Sequence, residues 1–171
     1  MARIAAAFTL IAFLAVLTFP SARAQDAVRT DTPSGLPVPR FVSLKVDRVN
    51  VREGPSKGHP IRFVFLRKGL PIEIIAESEH WRRVRDRDGA TGWVHQQMLS
   101  GTRTLIVTGT SNATLYARPD RDAIVVAYAQ PGVILEIKSC DPHWCDVKSD
   151  KIRGWITRDE VYGVYPGETI Q

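Results

Sequence analysis

Residues 69–74 read Gly-Leu-Pro-Ile-Glu-Ile, and residues 132–137 read Gly-Val-Ile-Leu-Glu-Ile. These stretches lie 63 positions apart, and two further pairs of motifs keep the offset at 62 or 63. The further pairs are His80-Trp81-x-x-Val84 with His143-Trp144-x-x-Val147, and Gly92-Trp93-Val94 with Gly154-Trp155-Ile156. Three ordered matches at one offset predict two copies of one structural unit. The alternative is one larger β domain in which the motifs match by chance.

Each copy has the pattern of a small all-β domain, because short apolar and aromatic runs are interrupted by Gly, Pro, Asp and Asn. In the first copy the predicted strands are Phe41–Val46, Val49–Arg52, Arg62–Leu66, Pro71–Glu77, Trp81–Arg85 and Thr91–His95. In the second they are Thr104–Thr108, Ala113–Ala117, Ile124–Ala129, Val133–Ser139, Trp144–Lys148 and Lys151–Ile156. Units of this size build only a small core. The short connection Leu99–Arg103 therefore predicts that the two copies pack together.

The first copy also carries a family signature. Val49-Asn50-Val51-Arg52-Glu53-Gly54-Pro55-Ser56, followed by Gly69, Trp81-x-x-Val84 and Gly92-Trp93-Val94, resembles the bacterial SH3-like (SH3b) family. The second copy resembles a more divergent member that opens with Leu115-Tyr116-Ala117-Arg118-Pro119. The resemblance implies two tandem SH3-like β-barrels, unit one at 41–101 and unit two at 102–165. It also implies a module that binds peptides or cell-wall material, often beside a catalytic domain, and no such domain is recognised in this sequence.

The N-terminus has the pattern of a secretory signal peptide over residues 1–24. Arg3 precedes an apolar run from Ile4 to Phe19, and Ala22-Arg23-Ala24 supplies a small-x-small cleavage site. The apolar run is shorter than the roughly 20 residues of a membrane span. An uncleaved anchor is the alternative. Residues 25–40, with three prolines and no apolar periodicity, are predicted to form a flexible linker. We therefore expect a periplasmic or secreted protein without stable membrane insertion after cleavage.

Composition and charge exclude several classes of protein. The 171 residues are 44% hydrophobic and 24% charged, which is ordinary for a globular chain and excludes a disordered or collagen-like one. The formal net charge is +5, and loss of residues 1–24 removes two arginines and leaves +3. So small a charge does not indicate a nucleic-acid partner.

Strand alternation assigns the tryptophans to faces. Val84 and Val147 are predicted to point into the barrels, which places Trp81 and Trp144 on the opposite face of their strands. There the indoles would act either as ligand platforms or as packing between units. Trp93 and Trp155 face away from the core positions that follow them, and we interpret both as structural residues.

Eukaryotic SH3 domains, to which the family is similar, form a peptide groove from a Trp, a Pro and a Tyr. In unit one those positions fall on Trp81, His95 and Met98, and in unit two on Trp144, Thr157 and Glu160. The Trp is retained and the other two are not, which argues against proline-rich ligands. Unit one is the better candidate for a groove, with Trp81, His95 and Met98 close together.

The two cysteines lie at either side of an Asp-Pro turn in Cys140-Asp141-Pro142-His143-Trp144-Cys145. A hairpin at this turn would bring them within disulfide distance. The offset of 63 places Glu77 and Arg82 at the matching positions of unit one, which predicts a salt bridge there. The rival interpretation, a redox or metal site using Cys140, His143 and Cys145, lacks a fourth ligand for zinc.

Catalytic patterns are missing from the sequence. The four histidines are scattered, and neither His-x-x-x-His nor Gly-x-Ser-x-Gly occurs. We expect no enzyme activity, cofactor or metal. The leading hypothesis is an exported module that binds cell-wall peptide or a periplasmic protein. The second is a scaffold whose aromatic residues only pack units or oligomers, and the third is a thiol enzyme using the two cysteines.

Overall fold

The computed structural model describes residues 28–171 and confirms two all-β units. The predicted signal peptide, residues 1–24, lies outside the described residues. Unit one contains β1 Arg40–Leu44, β2 Val49–Arg52, β3 Ile61–Phe65, β4 Pro71–Ser78, β5 Trp81–Arg85, β6 Thr91–His95 and β7 Leu99–Ser100. Unit two contains β8 Thr104–Val107, β9 Ala113–Tyr116, β10 Val125–Ala129, β11 Ile134–Cys140, β12 Trp144–Lys148, β13 Arg153–Thr157 and β14 Val161–Tyr162. No helix within 28–171 is long and apolar enough to cross a membrane.

Both units have the same antiparallel topology, which confirms the repeat. The strand order is β3-β2-β6-β5-β4-β1-β7 in unit one and β10-β9-β13-β12-β11-β8-β14 in unit two. A register shift interrupts β4 between Ile74 and Ala76, and β11 has one between Ile137 and Ser139. A short 3₁₀ turn follows the sixth strand of each unit, at Gln96–Met98 and Arg158–Glu160.

The hairpin of β5 and β6 follows the alternation that its sequence predicts. Val84 and Val94 are completely buried in the core of unit one. Val147 and Ile156 are completely buried at the matching positions of unit two. The two cores are separate clusters, so each unit has an apolar interior of its own.

The glycine of each Gly-Trp-aliphatic motif allows two strands to approach closely. A Cβ atom on Gly92 would lie 2.4 Å from Cγ1 of Val51 and 2.9 Å from the carbonyl oxygen of Arg52. A Cβ atom on Gly154 would lie 3.1 Å from the carbonyl oxygen of Tyr116. Any larger residue would push β6 away from β2, or β13 away from β9, so the motif is a packing requirement of the fold.

The two units pack against each other across a surface that we call the seam, formed by Phe41, Glu73, Arg103, Tyr162 and Tyr165. The Phe41 ring centroid lies 5.2 Å from that of Tyr162 and 4.7 Å from that of Tyr165. The Tyr165 hydroxyl donates to Oε1 of Glu73 at 2.8 Å. The Arg103 guanidinium lies 5.8 Å from the Phe41 ring centroid. The short connection between the units therefore does lead to direct packing.

The described part of the predicted linker contacts unit one. Arg29 and Val38 form an isolated antiparallel bridge, and Val38 is buried in the core cluster of unit one. The backbone N–H and the hydroxyl of Ser34 donate to the two carboxylate oxygens of Glu77, at 2.9 and 2.8 Å. Apolar burial at one position and two hydrogen bonds at another hold this segment against the barrel.

Candidate functional site

A groove on unit one, which we call groove one, brings together Trp81, His95 and Met98. Its volume is about 460 Å³. The sequence comparison with SH3 domains singled out these three side chains, and all of them line the same groove. The remaining lining residues are polar or charged: Arg48, Asn50, Arg52, Lys57 and Gln97.

Regular pairing of β5 and β6 positions the aromatic wall of groove one. Trp81 and His95 are cross-strand partners, and their rings meet edge to face with centroids 5.3 Å apart. His95 also begins the 3₁₀ turn, where its Nδ1 accepts a bond of 3.4 Å from the backbone N–H of Gln97. The turn then carries Met98 to the groove, so one hairpin and its exit turn supply the predicted residues.

Strand β2, the residue before it and the loop after it supply the cationic wall, which consists of Arg48, Arg52 and Lys57. Asn50 and Arg52 alternate with Val49 and Val51, which are completely buried, so the polar pair faces the groove. The Nη1 group of Arg52 donates to the carbonyl oxygen of His59, in the loop after β2, at 2.6 Å. Sequence reasoning assigned no role to this wall. The alternation of Val-Asn-Val-Arg, which places both polar side chains on one face, could have indicated it.

A second groove lies at the matching place on unit two and has a volume of about 410 Å³. We call it groove two. Trp144 and Thr157, which are cross-strand partners, both line it. The Trp144 ring meets the Tyr116 ring edge to face at 5.6 Å. The other residues that line groove two are Arg121, Pro142, His143, Arg158 and Asp159. Glu160, the third position from the SH3 comparison, does not line groove two.

Trp81 and Trp144 line the grooves and not the seam. At the seam, the aromatic contacts among described residues are those of Phe41 with two tyrosines.

Trp93 and Trp155 lie on the neighbouring strands, β6 and β13. Trp93 pairs with Arg52, and Trp155 pairs with Tyr116, so each indole sits where the sixth strand of its unit meets the second. Both are half-buried and line neither groove.

A buried ion cluster holds the hairpin that carries Trp81. The Glu77 side chain is completely buried, and its Oε1 lies 3.1 Å from Nε of Arg82 and 2.5 Å from Nη2 of Arg40. Arg82 also donates to the carbonyl oxygen of Trp81 at 3.0 Å and to Oε1 of Gln96 at 2.7 Å. The cluster therefore connects β4 and β5 to the turn after β6, behind groove one. The predicted Glu77–Arg82 salt bridge is confirmed.

The burial and the hydrogen bonds of Glu77 shift the pKa of its carboxyl group. Burial raises the pKa of its carboxyl group, but hydrogen bonds from Arg40 and Ser34 outweigh burial and hold the pKa below its ordinary value. Glu77 is therefore ionised at neutral pH, and its charge is balanced by two arginines.

A disulfide takes the same place in unit two. Cys140 and Cys145 are cross-strand partners and form a disulfide with a Cα–Cα distance of 4.1 Å. Both cysteines are buried. The sulfur atoms are bonded to each other, so neither is a free thiolate, and no group of three metal-ligating side chains occurs among the residues that the structure describes.

The profile of one family, the bacterial SH3 domain, matches this chain twice, at residues 45–101 and 109–163. None of the curated proteins matches. The solved structure of NlpC2 from Trichomonas vaginalis is similar at 14% identity and a TM-score of 0.34, covering 73% of this chain and 48% of that one. NlpC1 from the same organism is similar at 14% identity and a TM-score of 0.34, covering 72% and 45%. This chain thus spans about half the length of the solved chains that it matches.

Proposed function

This chain belongs to the bacterial SH3 domain family, whose members are commonly binding modules, and on that premise we propose that it is a non-enzymatic exported protein that binds cell-wall peptide. A periplasmic protein is the alternative ligand. Groove one is the proposed binding site, with Trp81, His95 and Met98 in contact with the ligand.

The observation that carries this proposal is the convergence of these three side chains. They lie on β5, on β6 and on the turn after β6, yet they line one concavity. Trp81 offers a broad apolar face beside the polar imidazole of His95, and such amphipathic rings are typical of peptide-binding surfaces. The unbranched Met98 adapts to ligands of different shape. An extended peptide with small apolar side chains fits this chemistry.

Export is supported by two independent features. The first 24 residues have the pattern of a signal peptide, and the disulfide of unit two is the kind of bond that persists in oxidising compartments. The alternative role, a scaffold whose aromatic residues only pack the units, has less support. Phe41, Tyr162 and Tyr165 already serve the seam, and the indoles of Trp81 and Trp144 remain at the grooves.

Retention on purified peptidoglycan sacculi tests the proposal. The secreted protein, purified with its disulfide formed, is compared with Trp81→Ala and with Trp144→Ala as a matched control. Both substitutions remove a half-buried indole from the same position of a groove. We expect Trp81→Ala to bind at least about tenfold more weakly, as for a residue that dominates an interface, and Trp144→Ala to bind nearly as wild type.

Circular dichroism and urea unfolding establish that each variant is folded. Equal retention of wild type and a folded Trp81→Ala variant would exclude groove one as the wall-binding site. No retention of the wild type would exclude cell-wall peptide, and cross-linking in the periplasm would then identify the protein ligand.

A further inference from the structure

The two grooves differ in charge at matching positions of the fold. Arg52 pairs with Trp93 as Tyr116 pairs with Trp155, and this correspondence aligns β2 with β9. In this alignment Arg52 corresponds to Tyr116 and Arg48 corresponds to Asn112. Two arginines of unit one therefore have neutral counterparts in unit two. The turn after the sixth strand changes charge in the same direction, since the neutral Gln97 and Met98 of unit one correspond to the acidic Asp159 and Glu160 of unit two.

The cations of groove two are already occupied by groups of the protein itself. Nη2 of Arg121 lies 3.6 Å from a carboxylate oxygen of Asp159. The guanidinium of Arg158 donates to three backbone carbonyl oxygens, which belong to Asp141, Tyr165 and Glu168. Groove two therefore offers a ligand less net positive charge than groove one, because Asp159 offsets one of its two arginines, and the guanidinium of the other already donates to the protein.

Groove one is different. Arg48, Arg52 and Lys57 line it, and no carboxylate is among the described residues that do so. Within residues 28–171 none of these three side chains forms a salt bridge. Of the three, only the side chain of Arg52 donates a hydrogen bond, to the carbonyl oxygen of His59. Three cations around a half-buried indole, without an internal counter-ion among the described residues, produce a positive potential directed at whatever occupies the groove.

We infer that groove one selects a peptide that carries a carboxylate beside a small apolar side chain, and that groove two lacks this preference. The inference rests on the proposed function and names the ligand class for the same site. A carboxylate would be bound by Arg48, Arg52 and Lys57, while the apolar group lies against Trp81 and Met98. Arginine and carboxylate form charge-assisted hydrogen bonds, which are about twice as strong as neutral ones.

The shape of the site favours a peptide over an anionic lipid surface. Asn50 and Gln97 place side-chain amides in the groove, where they can donate to and accept from a peptide backbone. The indole of Trp81 is half-buried within the concavity rather than projecting from it. A membrane surface would instead require apolar side chains that protrude together with the cations.

The test compares native sacculi with sacculi whose carboxylates have been amidated, at about 50 mM salt to limit screening. The variant Arg48→Gln/Lys57→Gln removes two groove cations that have no hydrogen bond or salt bridge among the described residues. Arg118→Gln/Arg121→Gln is the matched control, because it removes the same net charge from unit two. Arg48→Lys/Lys57→Arg keeps the charge and serves as the conservative variant.

We expect the Arg48→Gln/Lys57→Gln variant to bind native sacculi about tenfold more weakly, which is about 1.4 kcal/mol. The matched control and the conservative variant should change binding by less than about twofold. Amidation should weaken wild type by a similar factor and weaken Arg48→Gln/Lys57→Gln by clearly less, since of the three cations only Arg52 remains there to bind the carboxylate.

Equal binding of wild type to native and amidated sacculi, still dependent on Trp81, would overturn the inference and leave the proposed function intact. Absence of binding to either preparation would overturn both. Phosphatidylglycerol vesicles form the last arm of the experiment. Binding to these vesicles that requires Arg48 and Lys57, together with indifference to amidation of the sacculi, would replace the peptide by a lipid and overturn the inference.

Discussion

The two units close the same hairpin with different chemistry. Glu77 pairs with Arg82 between β4 and β5, and Cys140 pairs with Cys145 between β11 and β12. One cross-link is ionic and needs Arg40, the first residue of β1, and Ser34 from the segment before the barrel. The other is covalent and complete within its own hairpin. Both units therefore have a cross-strand connection at the same place, formed by different residue types.

The largest effect that would test this comparison comes from Glu77→Gln. The substitution leaves the guanidinium of Arg82 buried without its counter-ion, and losses of about 3 to 5 kcal/mol are typical of such a change. Urea unfolding monitored by tryptophan fluorescence measures the free energy of unfolding. Glu136→Gln is the control, because Glu136 pairs with Lys138 and both side chains are more than one-third exposed, so little should change.

Acid provides a second measurement of the same pair. The folded pKa of Glu77 lies below its ordinary value, so its ionic stabilisation is present above the unfolded pKa and is lost as pH falls through the folded pKa. The difference between wild type and Glu77→Gln should therefore be greatest near neutral pH and should shrink in acid. A difference that stays constant over this range would show that the ionised carboxylate is not the source of the stabilisation.

The next effect in size comes from Cys140→Ala/Cys145→Ala. The disulfide closes a loop with a sequence separation of 5, for which the loop-entropy model gives about 2 kcal/mol. Unfolding in urea, with and without reductant, measures the loss. Reductant should destabilise wild type and leave the double variant unchanged. A loss equal to that of Glu77→Gln would mean that the two connections are equivalent in energy as well as in position.

The smallest effect is expected at the seam, which joins the units being compared. Tyr165→Phe removes the hydroxyl that donates to the buried Glu73, a loss of about 1 kcal/mol. Burial and this hydrogen bond raise the pKa of the Tyr165 hydroxyl and keep it protonated as a donor. Differential scanning calorimetry should show the two units unfolding less cooperatively in this variant. An unchanged transition would indicate that apolar contacts alone hold the seam.

Much of the fold could be predicted because its determinants are local. Alternation along five residues determines which side of β5 carries Val84, and an offset of 63 relates Glu77 to Cys140. The same register places Trp81 beside His95. The strand bounds differ from the prediction by at most two residues at either end, apart from two unpredicted two-residue strands, Leu99–Ser100 and Val161–Tyr162. Strands this short have too few positions to show a period.

The contacts that could not be predicted join residues that neither strand alternation nor the repeat offset relates to each other. Tyr165 and Glu73 are 92 positions apart, and Tyr165 lies in a loop segment after the last strand. One member of the cationic wall of groove one, Lys57, could not be placed for a related reason. Lys57 comes from the loop after β2, and its position depends on how that loop folds back, which neither alternation nor the repeat determines.

The seam has a consequence for how the chain matures. The ring of Phe41, in the first strand, is covered by Tyr162 and Tyr165, close to the other end of the chain. Because the chain is synthesised from its N-terminus, the residues of unit one are complete before the two tyrosines that cover the Phe41 ring have been made. The cover arrives only after unit two has been made, so an incomplete product exposes an aromatic surface that chaperones and proteases can recognise. A truncated copy is thereby distinguishable from a finished one.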